Sequence, residues 1–455
     1  MRRAASLLLA GTLLLAACSH VPSRDASAER PPVPAAWRTS LGPTAELQRD
    51  WWSRFGDPVL TSLVEAALAS SPDLATAAAR VREARAQEAL ARSQQLPSFD
   101  FAYGSSRSRT LNPLGLPAVT TTHQPVFQAA YEADLFGRIG EQVAAARATT
   151  QAGEAARESA VLSVAAATAS GYITLRALDS RLAILDATVA ARREGVRFAR
   201  ERAEVGYTSD LERRQAEAEY ESAAQQVPQL RLAIERQEHA LALLTGTPPR
   251  TIARGLALGR LATPAIPDGL PSDLLRRRPD IAQAEFTLVA ADASLASARA
   301  QFLPSLRLTA SVGDLIVSSV PDPVRIWNLG ASVLAPIFNG GRIQAQVDTA
   351  AARREQAAFG YQRVVLTALR EVEDNLSAVV RTREQRVHLE AQRAALADAL
   401  LHAERRYREG YSSYLEQLDA QRGVLAAELA LVQARADELN ALVALSQAMG
   451  GGWNE

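Results

Sequence analysis

Cysteine and histidine are the side chains that could carry covalent or metal chemistry here, and their number and spacing restrict what is possible. Cys18 is the only cysteine, so the chain cannot form an internal disulfide. The five histidines show no zinc-ligand spacing such as HExxH, and the sequence contains no Gly-rich phosphate loop. We therefore predict no catalytic residue, no cofactor and no bound metal. The reaction that remains for these residue types is acylation of the Cys18 thiol.

The residues before Cys18 predict a signal peptide at 1–17. Two arginines precede an apolar run over 4–17, which is too short to cross a bilayer as a helix. The run ends in Leu15-Ala16-Ala17-Cys18, which resembles a bacterial lipobox, in which the cysteine is acylated and becomes the mature N-terminus. Ser19 follows, where an aspartate would indicate retention in the inner membrane, so we expect the outer membrane. A simple secretory signal with a stray cysteine is the alternative.

The charge balance limits the partners. The chain has 50 basic and 50 acidic residues, and a nucleic-acid-binding protein would show a basic excess. We therefore predict no nucleic-acid partner. Residues 18–50 are rich in Pro, Ser and Ala, which predicts an extended, lipidated N-terminal tether.

The remainder of the chain is an internal duplication. Residues 72–98 align with 279–305 without a gap, and 13 of these 27 pairs are identical. Gly206-Tyr207-Thr208-Ser209 likewise matches Gly410-Tyr411-Ser412-Ser413. We therefore predict two structural repeats, 51–263 and 264–455, each with a short helix, two strands and a long helical hairpin.

The distribution of proline predicts very long helices. There is no proline between Pro125 and Pro228, or after Pro336, and both stretches are rich in strong helix formers. The expected helices run over 138–205 and 342–409, and each would be about 100 Å long. They would turn at Gly206 and Gly410. We expect no helix after the signal peptide to span a membrane.

Four segments alternate with a period of two, which predicts strands of about ten residues. Phe99, Phe101 and Tyr103 would share an apolar face, whereas Asp100, Glu132, Asp134 and Arg307 would line a polar one. A transmembrane barrel with a wet lumen fits this alternation, and a small soluble sheet packed on a helix is the alternative. Four strands cannot close a barrel, so two or three chains would have to share it, and three give room for a channel.

Five motifs resemble the TolC-like outer-membrane factors, in the NodT-like or OprM-like lipoprotein branch that serves resistance–nodulation–division (RND) efflux pumps. The motifs are Trp51-Trp52-Ser53-Arg54-Phe55-Gly56-Asp57-Pro58, Tyr131-Glu132-Ala133-Asp134-Leu135-Phe136-Gly137-Arg138, Leu243-Leu244-Thr245-Gly246, Arg277-Arg278-Pro279-Asp280-Ile281 and Pro336-Ile337-Phe338-Asn339-Gly340-Gly341-Arg342. The resemblance implies a mainly α fold with a small β part. Duplicated long-helix hairpins would form a trimeric α-barrel, topped by a 12-stranded transmembrane β-barrel with four strands from each chain.

The same resemblance implies an outer-membrane channel component of a tripartite efflux system, a passive duct for small amphiphilic compounds such as drugs. Its partners would be two further copies of the chain, a periplasmic adaptor (membrane fusion protein), an inner-membrane RND pump and outer-membrane lipid. Two alternatives stay open: the duct of a type I protein-secretion system, and a lipid-anchored periplasmic helical scaffold.

The family also implies functional sites at the helix turns. The tips would contact the adaptor, and a pore gate would include Glu416 and Asp419, with Glu212 as the first-half counterpart of Glu416. Glycines that merely cap helices and a solvated helix face are the simpler interpretations. Family members often carry a basic residue in the second turn, where this chain has serine. The predicted tip residues are Gly206, Tyr207, Thr208, Ser209, Gly410, Tyr411, Ser412 and Ser413.

Overall fold

A computed structural model describes residues 31–39, 44–45, 48–111, 114–267 and 269–452. Cys18, the signal peptide and the first part of the tether lie outside the described residues, and so do parts of the tether between positions 40 and 47. The lipidation site therefore stays a prediction from sequence.

Helices make up most of the described chain. The first half contains α1 (Pro58–Ser70), α2 (Pro72–Ser93), α3 (Arg138–Glu204), α4 (Asp210–Ala224) and α5 (Gln226–Leu244). The second half contains α6 (Leu274–Arg277), α7 (Pro279–Ala300), α8 (Arg342–Arg408) and α9 (Tyr414–Ala448). The long helices α3 and α8 have 67 residues each and begin and end within one residue of the sequence prediction.

The four longer strands form one antiparallel sheet. They are β1 (Ser98–Leu111), β2 (Pro117–Ala133), β3 (Ser305–Val317) and β4 (Val324–Leu334), paired in the order β1-β2-β3-β4. Phe101 lies opposite Phe127, Phe127 opposite Val312, and Val312 opposite Trp327, so the predicted apolar positions share one face. Strands β1 and β4 are the two open edges.

Three local details differ from the sequence expectation. The strands have 11 to 17 residues and exceed the predicted ten. Asp134 lies beyond β2, and its carboxylate accepts hydrogen bonds from the backbone N–H groups of Ile139 and Gly140, so it caps α3 instead of lining the sheet. The return helix of the first half divides at Gln225, because Pro228 cannot donate to the carbonyl four residues earlier.

The chain divides into two compact units, and each takes segments from both sequence repeats. The first unit contains the sheet, within residues 79–154 and 283–363. Close helix packing there depends on small residues: Gly153 faces Val81 and Ala84, and Leu288 packs on Ala358. The guanidinium of Arg354, which is almost fully buried, donates to Asp292 across 2.9 Å.

The second unit comprises residues 31–78, 155–282 and 364–455. Asp57 is buried at its centre and caps α1 by accepting from the backbone N–H of Val59 at 2.8 Å. The same carboxylate accepts from the Tyr172 hydroxyl at 2.9 Å and from the backbone N–H of Leu256 at 2.8 Å. This explains the Gly56-Asp57-Pro58 motif, because the aspartate organises three separate segments.

The later part of the predicted tether packs within the second unit. Trp37 donates from its indole to the carbonyl of Gly269, and the backbone N–H of Arg38 donates to Glu373. The two-residue strands Thr44–Ala45 and Ile266–Pro267 pair in parallel. This part of the tether is therefore docked, because backbone and indole donors find acceptors there.

One described helix, Arg138–Glu204, is long and apolar enough to cross a membrane by length and composition. The sequence expectation of no such segment was therefore wrong by that criterion. Half of its apolar window is buried within the structure, which is also the property of a core helix.

Candidate functional site

The two predicted helix turns have the same backbone geometry. Gly206 and Gly410 adopt φ values of 76° and 81°, in the left-handed region that favours glycine. The backbone N–H of Tyr207 donates to the carbonyl of Arg202, and that of Tyr411 donates to Arg406, each at 2.8 Å. These six-to-one bonds define Schellman caps, so both glycines end their long helices as the sequence pattern predicted.

The ends of four helices meet in a small buried cluster beside these turns. Each helix contributes: Ala199 from α3, Ala216 from α4, Tyr407 from α8, and Tyr414 and Leu418 from α9. The rings of Tyr407 and Tyr414 have centroids 5.6 Å apart. Small residues on the first-half helices make room for the two tyrosines of the second half, so the two hairpins are held together at their tips.

Glu212 lies at this junction and has partners from both halves. Its carboxylate accepts a short hydrogen bond from the Thr208 hydroxyl and a second one from the Tyr407 hydroxyl at 3.3 Å. The guanidinium of Arg202 lies 5.3 Å from the centre of the Tyr407 ring, within the range of a cation–π contact. Glu212 thus connects the first turn to the second hairpin.

Glu416 and Asp419 occupy the first turns of α9, and both have arginine partners within the chain. Arg406 lies 3.4 Å from Glu416, and Arg422 lies 3.8 Å from Asp419. The Asp419 side chain is 71% exposed and the Glu416 side chain 43% exposed. Exposed ion pairs of this kind contribute about 0–1 kcal/mol to stability. Because both side chains are exposed, both carboxylates remain available to the solvent. The basic partners come from helix faces, although the second turn itself carries serines.

A more buried ionic contact lies one helical turn further from the tips and was not predicted from sequence. Glu219 accepts from Arg192 at 2.9 Å and from Arg422, and so joins α3, α4 and α9. The exposed fractions of the Arg192 and Glu219 side chains are 7% and 13%. No spacing rule could have found this contact, because its three residues come from separate helices.

The tyrosines of the tip cluster have shifted acidities. Burial raises the pKa of Tyr407 above its usual value, and the negative charge of Glu212 raises it further. Burial likewise raises the pKa of Tyr414, with a smaller contribution from Tyr407. Both phenols therefore stay protonated, and the Tyr407 hydroxyl is kept as a hydrogen-bond donor to Glu212.

Both turns expose apolar side chains. The side chains of Tyr207 and Tyr411 are each 79% exposed. Val205, Leu211 and Leu415 are also exposed beside them. Corresponding positions of the two repeats thus present matching apolar surfaces. Among the described residues, no group of three or more His, Cys, Asp and Glu side chains could hold a metal ion.

The sheet and the helices together define a class of protein. A sheet with one apolar and one polar face, two open edges and paired 67-residue helices is the architecture of an outer-membrane channel subunit. A model of the outer membrane efflux protein family matches residues 63–247 and 270–451. The chain belongs to this family.

Relatives and solved structures agree with this assignment. The antibiotic efflux pump outer membrane protein ArpC of Pseudomonas putida is 33% identical, over 97% of this chain and 94% of its own length. The pyoverdine export outer membrane protein OpmQ of Pseudomonas aeruginosa is also 33% identical, over 98% and 96%. The structure of the outer-membrane channel OprN superposes with a TM-score of 0.88 at 30% identity, over 96% of this chain and 100% of that one.

These findings confirm the predicted family, fold class, outer-membrane location and efflux role. The fold class is that of trimeric outer-membrane channels, mainly helical with a small strand part. The named relatives are channel proteins and not enzymes. The lipidation site, the gate residues and the adaptor-contacting tips stay predictions.

Proposed function

We propose that this chain is the passive, gated outer-membrane duct of a tripartite efflux pump for small amphiphilic compounds. Three copies share one barrel, a periplasmic adaptor contacts the helix turns, and an inner-membrane RND pump supplies the energy. The observation that carries the proposal is the four-stranded sheet, with its apolar face, polar face and two open edges. In lipid, an open edge leaves backbone groups unpaired at a cost of several kcal/mol each, so further copies must cover both edges.

The polar face of the sheet suits a water-filled lumen. Asp100, Glu132 and Arg307 have the parity of this face, and Glu132 lies directly opposite Arg307 in the strand register. Glu132 also accepts from Arg138 at 2.7 Å. These charges keep the lumen wet, as expected of a conduit.

The gate forms at the turns. Three-fold symmetry would bring Glu416 and Asp419 of each copy around one axis, and these six carboxylates would attract cations. Glu212 supports the closed arrangement through Tyr407. Because Arg406 and Arg422 offset part of the negative charge, the closed gate does not need a basic residue within the second turn.

The tips form the adaptor surface. Tyr207, Leu211, Tyr411 and Leu415 present exposed apolar area at equivalent places in both repeats. Surface of this kind is typical of a protein–protein contact, in which aromatic side chains contribute most of the binding energy. The remaining tip residues, Thr208, Ser209, Ser412 and Ser413, would hold the turns in shape.

Lipidation at Cys18 gives a second attachment to the outer membrane. The docked segment 31–39, which follows Cys18 in the sequence, holds the later part of the tether on the body of the protein. A single chain that carries several acyl groups adds membrane affinity beyond that of the barrel.

Small compounds are favoured over proteins as cargo. The relatives carry names that refer to antibiotic efflux and to export of pyoverdine, whereas a type I secretion duct would export polypeptides. A lipid-anchored scaffold would explain the helices but would not explain a sheet with one apolar and one polar face.

The mass of the detergent-extracted particle, from light scattering corrected for bound detergent, tests the duct. Three copies with bilayer conductance would support it. A monomer would refute barrel closure and favour the scaffold. A trimer without conductance would refute the duct itself.

A further inference from the structure

The end of the sheet farthest from the helices carries arginines on one face. Arg107 and Arg109 share the parity of Phe99 and Phe101 on β1, and the register places Arg325 of β4 opposite Asp314 of β3. Because Val312 and Trp327 lie two residues away on the same face, all three arginines belong to the apolar, outward face. We call Arg107, Arg109 and Arg325 the outer arginine band.

The opposite face at the same level has no charge. On β1 and β2, Ser106 pairs with Thr122 and Ser108 pairs with Thr120, and on β3 and β4 the same face carries Leu315 and Val324. Arginines that served only to keep the strand ends soluble could occupy either face. Their restriction to the outward face indicates a partner that lies outside the barrel.

The depth of the band corresponds to the edge of the hydrocarbon layer. Eight residues separate Leu306, near the helix end of β3, from Asp314, and eight also separate Phe99, near the helix end of β1, from Arg107. At about 3.3 Å per residue and a tilt of about 40°, the apolar stretch between them rises about 20 Å, close to the height of about 25 Å of a transmembrane apolar band. Tyr103 and Trp327, which are 60% and 76% exposed, stand where an aromatic girdle is expected.

The band is free to bind anions. Within the described part of the chain, neither Arg107 nor Arg109 has an ion-pair partner, and both are exposed. Arg325 lies 3.3 Å from Asp314 yet remains 76% exposed. Asp314 is the one carboxylate on the outward face of the four described strands, so the three arginines leave that face with a positive charge.

His123 adds a donor between the aromatic girdle and the band. Its Nδ1 atom lies 2.9 Å from the Tyr103 hydroxyl oxygen and 3.1 Å from Ser105 Oγ. When both hydroxyls donate to Nδ1, the ring proton resides on Nε2 and can point to a ligand outside the sheet.

We propose that the outer arginine band binds the phosphate groups of phosphorylated lipid in the outer leaflet. A guanidinium offers paired N–H donors that match phosphate oxygens, and phosphate at the headgroup level lies at the depth of the band. The inference rests on the shared barrel of the proposed function. Closure would make β4 of one copy a neighbour of β1 of the next, so that Arg325 joins Arg107 and Arg109 around the barrel.

The test measures retention of lipid A on the detergent-extracted trimer by native mass spectrometry. Lipid A that carries two phosphates is compared with the same lipid after enzymatic dephosphorylation, and inorganic phosphate is added as competitor. The double variant Arg107→Gln, Arg109→Gln removes two charges from the band. The matched control, Arg80→Gln with Arg82→Gln, removes two exposed arginines from α2.

We expect the double variant to lose about thirtyfold in affinity for the phosphorylated lipid, because each arginine beside a phosphate-bearing surface contributes roughly fivefold. The control should bind like the unchanged protein, and dephosphorylated lipid should be retained weakly. The charge-retaining variant Arg107→Lys, Arg109→Lys should bind better than the glutamine variant but more weakly than the unchanged protein, because lysine keeps the charge and lacks the paired donors. Millimolar inorganic phosphate should not displace the lipid. If it does, the band is a site for free phosphate, and the lipid proposal is wrong.

Equal retention by the glutamine variant, or equal retention of dephosphorylated lipid, would overturn the proposal. If the glutamine variant does not assemble, Arg325→Gln and the lysine variant provide the comparison. Particle mass and conductance are measured on the same samples. A conducting trimer that retains phosphorylated and dephosphorylated lipid equally therefore refutes only the lipid-binding role of the outer arginine band. A monomer refutes the proposed duct.

Discussion

The hydroxyl of Tyr407 donates a hydrogen bond to Glu212 across 3.3 Å and thereby joins residues 195 positions apart in sequence. Tyr407 belongs to the long helix of the second half, and Glu212 to the return helix of the first. Because Glu212 also accepts from Thr208, one carboxylate links the first turn to the second hairpin. If the proposed gate opens by separation of the hairpins, this bond must break.

Replacement Tyr407→Phe should therefore weaken the closed state. The ring would still pack against Tyr414, but one hydrogen bond to a charged group would be lost, at a cost of about 1.5–3 kcal/mol. We expect the open probability in planar bilayers to rise by roughly tenfold or more. Tyr220→Phe is the control, because that hydroxyl accepts from Arg193 within the first half and does not join the two hairpins. An unchanged open probability in Tyr407→Phe would remove this bond from the gate.

The double variant Glu416→Ala, Asp419→Ala tests the acidic ring. Without these carboxylates, the narrow end of the duct should attract cations less, so block by multivalent cations should weaken severalfold and cation selectivity should fall. Single-channel recording in both orientations measures both effects. The control, Glu428→Ala with Asp437→Ala, removes two carboxylates from the same helix α9, away from the turn. If both variants behave alike, the ring has no role in the gate.

The variant Tyr207→Ser, Tyr411→Ser tests the adaptor surface. Loss of two exposed aromatic side chains should lower affinity for the periplasmic adaptor by about tenfold or more, since aromatic residues dominate most interfaces. Conductance of the isolated duct should not change, because neither side chain belongs to the buried cluster. Adaptor binding is measured by surface plasmon resonance. Leu90→Ser, which also replaces an exposed apolar side chain by serine but on α2, is the control. Unchanged adaptor affinity would place the contact elsewhere.

Alkaline pH should destabilise the second unit through Tyr172. Burial raises the pKa of Tyr172 to about 12, and its bond to Asp57 adds to the effect. Between the unfolded value near 10 and the folded value, the unfolded chain binds fewer protons than the folded one. The free energy of unfolding is therefore unaffected below pH 10 and should fall between pH 10 and 12 by up to about 3 kcal/mol.

The check is chemical denaturation in detergent at each pH. Tyr172→Phe should reduce the decrease in the free energy of unfolding between pH 10 and 12. Part of the decrease should remain, because the pKa values of Tyr407 and Tyr414 are raised as well. An equal slope in Tyr172→Phe and in the unchanged protein would contradict the assignment.

Cys18→Ala tests the lipid anchor. We expect the variant to lack the mass of the acyl chains but to stay in the outer membrane after a carbonate wash, because the barrel holds it there. Mass spectrometry and flotation with outer-membrane vesicles measure the two effects. Release of the variant by carbonate would mean that lipid alone attaches the protein, in agreement with the scaffold alternative.

The sequence by itself determined the elements and the family. Absence of proline over long stretches allowed 67-residue helices, glycine marked where they end, and alternation with a period of two assigned the faces of the four strands. These features could be predicted because each depends on local backbone chemistry or on a period within one segment. The family resemblance implied Glu416 and Asp419 as gate residues, and the match between the two halves added Glu212; their role in a gate stays a prediction.

Only the tertiary structure decided how those residues are partnered. Tyr407 meets Glu212, and Glu219 meets both Arg192 and Arg422, because helices from both halves pack side by side at the turns. Asp134 caps a helix because the strand ends one residue earlier than its parity suggested. Such contacts join side chains that are distant in sequence, so they depend on the angle and register of helix packing, which no local pattern encodes.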